Sequence, residues 1–390
     1  MSEIHIKQIQ FNGSSQIRCN ISILGQEDTI VAETSSNVSE YLDITRADAF
    51  VMGLLYFAME HHCDIRSDIP ISDELYYNLD NHFIDALAHE GSGLYRTQLY
   101  CSTISTIFKK GKLVATGISC GIDCLFTLNL HEKINIPAYK ITHLAFYNVG
   151  SHQTGKGEAF DDYLFKGRQM LSEAFAKEYG YTFYTIKSNI HEVIERHGGY
   201  SHINNHSYMA AYCILLLQKG ISRYYYSAGY PYTDFRVYKT NKTEILDSAM
   251  YDLLTFYCIS IGGMKVYSAG GNIKRIDKTR ILTMYKPAQK YLNVCVNDSN
   301  NDGVCFKCVR TLLSLDATGN IDDFKAVFDI DKYKANKSRY IRKMWFDATF
   351  MHDELCQEIV PLYKKQLTIF MKVKALEENW KYIAKKMIVR

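Results

Sequence analysis

Residues 119 to 124 read Ser119-Cys120-Gly121-Ile122-Asp123-Cys124, after the apolar run Leu113-Val114-Ala115 and ahead of the helix-compatible stretch Leu125 to Leu130. A strand, a tight turn and a helix start in that order aim several backbone N–H groups and the positive end of a helix dipole at one spot, which suits a phosphate. Backbone donors hold a pyrophosphate whatever the side chains are. Cys120 is therefore tolerated if its φ is negative and strained if the turn requires a positive φ, as any residue but glycine would be. Cys124 is expected as a neutral thiol, since a thiolate at the helix start would repel phosphate.

Other chemistry-bearing residues are less ordered. His202 and His206 have helical i, i+4 spacing, but no Glu follows the first, so the zinc-protease helix is excluded and a structural or substrate-contact role is expected. The chain has no Gly-x-Ser-x-Gly elbow and no Walker-type Gly-Lys-Ser or Gly-Lys-Thr. Lys110, Lys112, Lys156 and Lys187 are positive charges near the proposed loop and are read first as solvated. Asp298 to Gly303 has the composition of a calcium loop but lacks the following bidentate acid and the flanking helices.

The elements that must position these residues follow an α/β pattern. From Lys112 onward, expected strands Leu113 to Gly117, His143 to Val149, Tyr181 to Ile186, Arg223 to Ser227 and Met264 to Tyr267 alternate with helices Cys124 to His131, Phe160 to Tyr179 and Ser207 to Lys219. This is a doubly wound parallel sheet, whose ligands bind beyond the carboxyl ends of its strands. Residues 1–108 read as an α+β accessory domain, with short strands in the first forty residues. There Thr45-Arg46-Ala47-Asp48 is a capping box for a buried helix Ala49 to Met59. Residues 109–320 form the α/β domain, and a helix is expected from Val309 to Gly319-Asn320. Residues 321–390 form a helical C-terminal region, Arg339 to Met351, Glu354 to Met371 and Val373 to Lys386.

Composition bounds the setting. A 390-residue chain that is 47% hydrophobic and 22% charged buries a sizeable core. No apolar run approaches a membrane span and the N-terminus lacks signal-peptide organisation, so a cytoplasmic location is expected, with the eleven cysteines reduced. Net charge is +3, but residues 331–390 carry 14 Lys and Arg against 7 Asp and Glu. That excess is read as a solvated face, with an RNA surface as the alternative.

The loop at 119 to 124 resembles the Ser-Gly-Gly-x-Asp-Ser loop of the PP-loop ATP pyrophosphatases, with Cys120 and Cys124 as departures. Within that superfamily the chain is most similar to the 7-cyano-7-deazaguanine synthase family over roughly residues 112 to 312. Tyr147-Asn148-Val149-Gly150-Ser151-His152 resembles its Tyr-Gly-Gln-x-His segment, and Glu158 its nearby acid. Ser227 to Arg236 resembles its Ser-Gly-Tyr-Pro-Asp-Cys-Arg run, and Lys278-Thr279-Arg280-Ile281 its Lys-x-Glu-Ile segment. The resemblance implies that ATP and Mg2+ are held by residues 119–124, Gly150 and His152. It further implies that Asp123 and Lys278 are catalytic, and that Tyr230, Asp234 and Arg236 recognise substrate. It also implies a zinc site at Cys295, Cys305 and Cys308, where Asp302 stands in the remaining ligand position. Cys258, Cys356 or a histidine are alternative fourth ligands, and thiols left over from a lost site are the alternative to zinc.

The implied activity is adenylation of a carboxylate by ATP, releasing pyrophosphate, followed by acyl transfer to ammonia or another nucleophile. Base modification of RNA by adenylation or thiolation, and nucleotide binding without catalysis, are the alternatives. Expected partners are a small-molecule or peptide carboxylate, RNA through the basic C-terminal helices, and a second copy of the chain, with no membrane.

Overall fold

In the computed structural model, residues 2–106, 111–153, 156–240 and 244–380 are described, which leaves Lys110 and the end of the last expected helix outside them. Ten strands pair into one sheet: β1 (Glu3–Phe11), β2 (Gln16–Ile23), β3 (Gln26–Thr34), β4 (Asp64–Ser72), β5 (Leu99–Ile104), β6 (Leu113–Gly117), β7 (His143–Asn148), β8 (Thr182–Ser188), β9 (Ile221–Ser227) and β10 (Lys265–Ala269). Their order is β10-β9-β6-β7-β8-β3-β2-β1-β4-β5. The five expected strands are all present, and β10, β9, β6, β7 and β8 run parallel.

β6 is buried along nearly its whole length, as a central parallel strand covered on both faces must be, whereas β2 alternates buried and partly exposed residues. Leu113 and Ala115 face a core shared with helices Asp48–Glu60 and His202–Leu216. Val114 faces the opposite core, shared with helices Ile122–Glu132, Arg275–Leu282 and Phe306–Ala317. The antiparallel pairing of β3 with β8 carries the sheet across position 108. Chain order reverses between β6 and β9, because β7 and β8 lie to one side of β6 and β9 and β10 to the other. The loops beyond that switch point are where such a sheet opens a ligand crevice.

Two local expectations are corrected. Helix Asp48–Glu60 forms, but Ala47 is its N-cap and makes no side-chain cap. Thr45 bonds Asp43 instead (2.6 Å), which Lys219 anchors at 2.9 Å, and Asp48 accepts from Ser72 N (2.7 Å) and Gln218 Nε2 (2.9 Å). Tertiary partners thus outbid the local box. The expected helix Glu354 to Met371 stops at Ile359 and passes through the 3-10 turn Val360–Tyr363, because Pro361 has no N–H to continue the ladder. A new helix, Ile369–Glu378, starts from a Thr368 cap. No helix among the described residues is long and apolar enough to cross a membrane, and all eleven cysteines are free.

Candidate functional site

A cavity of about 410 Å³ opens at the carboxyl ends of β6, β7 and β9, a volume in the range of small-molecule sites. Ser119, Gly121, Asp123 and Cys124 form one wall. β6 ends at Gly117, and Gly121 caps helix Ile122–Glu132, whose first intrahelical bond is Leu125 N to Gly121 O (3.1 Å). The N–H groups of Ile122, Asp123 and Cys124 precede that bond, so the helix presents its positive end here.

Cys120 takes the strained of the two conformations: its φ is +56°. A left-handed non-glycine costs about 1–2 kcal/mol. The strain is held by its fully buried side chain and by its carbonyl, which accepts from Asn293 N at 2.8 Å. Cys124 is neutral as expected, because burial pushes its thiol up. Its thiol donates to Gly121 O (3.3 Å) and accepts from Ser119 N (3.5 Å), closing the turn on itself.

Asp123 is the only carboxylate among the described residues that line the cavity, and it is already engaged. Arg275 Nη1 bonds one oxygen, and Lys278 Nζ the other at 3.1 Å while also donating to Ala228 O at 2.6 Å. Burial works against the charge of Asp123, but Arg275 and then Lys278 hold its carboxyl below the usual range. Lys278 is buried and absent from the cavity lining, so it positions Asp123.

Three cations line the cavity: Arg168, Arg275 and Lys307. Arg168 donates to the carbonyls of Cys295 (2.7 Å) and Asp298 (3.4 Å) and contacts His152 Nδ1 at 3.3 Å. Burial, then Arg168, pushes His152 down to about 4, so it is neutral. Lys307 is lowered to about 8 by burial and by repulsion from Arg275 and Arg310. Among the described residues, neither Arg168 nor Lys307 has a carboxylate ion partner, and the cavity has positive charge to spare.

Tyr226 and His202 also line the cavity. The Tyr226 hydroxyl lies 3.0 Å from His206 Nδ1, and His206 Nε2 lies 2.7 Å from Asp247 Oδ1. Asp247 accepts a further bond from Ala249 N (2.9 Å) and one from Tyr230 (3.3 Å). Burial disfavours the charge of Asp247, but the hydrogen bond to His206 keeps its carboxyl low. A carboxylate only accepts, so in a neutral His206 ring the proton on Nε2 faces Asp247 and Nδ1 is the nitrogen open to the Tyr226 hydroxyl.

Among the expected residues, Ile122 is buried in the core rather than in the cavity wall, and Gly150 is structural: its φ is +107° and a Cβ would lie 2.6 Å from Tyr200 Oη. Asp234 and Arg236 do not line the cavity; Arg236 pairs with Glu244 (2.7 Å) and Glu354 (3.2 Å). Sequence reasoning did not single out Arg168, Arg275 or Tyr226. Arg275 and Lys278, three apart on one helix face, are the signal that points to Asp123.

Cys295, Asp302, Cys305 and Cys308 come together with all four donor atoms within 4.8 Å of one another, so the cluster can hold a metal ion. A tetrahedral zinc with bonds of about 2.3 Å needs sulfur–sulfur edges of about 3.8 Å, which a small contraction supplies. Hydrogen bonds from Cys295 and then Cys308 hold the Cys305 thiol low. Asp302 Oδ1 is oriented by the N–H groups of Val304 and Cys305, both at 2.9 Å. No family model, curated protein or solved structure matches the chain.

Proposed function

We propose that the cavity binds the phosphates of ATP and that the protein is a PP-loop-type enzyme, which adenylates a carboxylate and passes the acyl group to ammonia or another amine. The observation that carries this reading is the pairing of a helix-start loop with Arg168, Arg275 and Lys307 at the β6–β9 switch point, around one carboxylate that is already neutralised. A polyanion is the ligand that such a surplus of buried positive charge recognises.

In the first step a carboxylate oxygen attacks the α-phosphorus, the bond to the β-phosphate oxygen breaks, and pyrophosphate leaves with its charge met by the three cations. In the second, the amine attacks the acyl carbon, AMP leaves, and the amine loses a proton. In this proposal Tyr226 accepts that proton at its oxygen while passing its own to Nδ1 of a neutral His206, whose Nε2 faces Asp247. Asp123 serves to orient the loop. With it committed to Arg275 and Lys278, the cavity offers no free carboxylate to magnesium among the described residues, and the ion would enter on the nucleotide's own phosphates. We read the cysteine cluster as a zinc site that shapes the loop beside the cavity.

Incubation with α-labelled ATP, magnesium and ammonium alongside a carboxylate panel tests the reaction. Labelled AMP is the expected product. Labelled ADP would overturn the adenylation step.

A further inference from the structure

We infer that metal in the cysteine cluster and anion in the cavity are coupled, each raising the affinity for the other, because the cluster places two of the three anion-binding cations. The inference rests on the reading of the cavity as a phosphate site.

Cys295 belongs to both: its thiol is a cluster donor, its carbonyl takes Arg168 at 2.7 Å, and it lines the cavity. The carbonyl of Asp298, in the same loop, is the second acceptor for Arg168 at 3.4 Å. Lys307 lies between Cys305 and Cys308 in the first turn of helix Phe306–Ala317, and that helix is capped by the Cys305 sulfur, which accepts from Cys308 N at 3.4 Å. Neither a strand nor a helix spans the chain between Tyr291 and Phe306. Its path therefore rests on side-chain bonds such as Asn301 to Leu292 O (2.8 Å) and on whatever joins the four donors.

An ion that draws the donors to tetrahedral distances fixes the Cys295 carbonyl and the Lys307 turn at once. The effect is positional rather than Coulombic, since a dication held by three thiolates and a carboxylate is net anionic and attracts no anion. Linkage makes the coupling reciprocal.

The probes are zinc and inorganic pyrophosphate. Calorimetry of pyrophosphate into the zinc-loaded and chelator-stripped 390-residue chain, with near-UV circular dichroism to check that both are folded, should show at least about ten-fold weaker binding after stripping. Pyrophosphate should protect zinc from a competing chelator by the same factor. If stripping unfolds the chain, Asp302→Asn, which keeps all three thiolates, should instead move pyrophosphate binding to higher zinc concentration. An Arg168→Gln, Lys307→Gln double variant should lose the zinc dependence. Equal pyrophosphate affinity with and without zinc, or a chain that retains no zinc, overturns the coupling alone. Absence of pyrophosphate binding in either form overturns the phosphate site, and the coupling with it.

Discussion

At the scale of single residues, the two cysteines of the loop play opposite parts. Cys120 carries backbone strain in a buried place, whereas Cys124 closes the turn through Gly121 O and Ser119 N. A hydroxyl is the stronger donor and can turn from Gly121 toward a phosphate. Cys124→Ser should leave ATP affinity within about three-fold and raise AMP release by up to about ten-fold, corresponding to one ordinary hydrogen bond. Quench assays with labelled ATP read this, and a slower variant would contradict it. Tyr226→Phe keeps the ring but removes the hydroxyl that meets His206. It should slow acyl transfer about 100-fold with ATP affinity unchanged, and loss of ATP binding in that variant would show the tyrosine to be a nucleotide contact. The positive φ of Cys120 was not legible in the sequence, because it depends on Asn293, which lies far along the chain.

Among elements, the strands and helices around the cavity were legible since each carries its own apolar pattern, and β6 and helix Ile122–Glu132 fall where the loop's residues demand them. What periodicity could not reveal is which helix face meets which loop. Arg168 looks like one more surface cation on helix Glu158–Glu178 until the fold lays that helix beside Cys295. The C-terminal region shows the same limit. Helix Ile330–Phe350 reaches back to the cysteine-cluster loop, Tyr340 donating to Gly303 O and Lys332 to Asp302 O, both at 2.9 Å. Others of its cations meet carboxylates: Lys334 with Asp322, Lys337 with Asp316 and Lys343 with Asp347. The helix thus braces the site with residues that read as a solvated face. Tyr340→Phe should lower zinc retention about ten-fold against a competing chelator while sparing the overall fold. Unchanged retention would show that the helix does not brace the cluster.

Over the whole molecule, one sheet joins the N-terminal strands to the parallel half, and buried histidines tie its stability to pH. Burial lowers His191 to about 4, as burial and Arg168 do for His152. Both lie below the unfolded value of about 6.5, so the unfolded chain binds protons that the native one refuses. Their contribution is complete above about pH 6.5 and is lost as pH falls toward 4, at about 1.4 kcal/mol per pH unit for each. Guanidinium midpoints should drop across that window, and His191→Asn should flatten the slope; a midpoint independent of pH there would contradict the burial of both rings. The proposed reaction requires that the charge surplus at the β6–β9 switch point hold the phosphates of a nucleotide. Calorimetric titration of magnesium ATP examines that binding in isolation from the chemistry. The parent chain should bind one nucleotide, and Lys307→Gln should weaken binding about 10- to 100-fold, as expected for a lost charge-assisted bond. No heat of binding in the parent, or equal affinity in the variant, would contradict it.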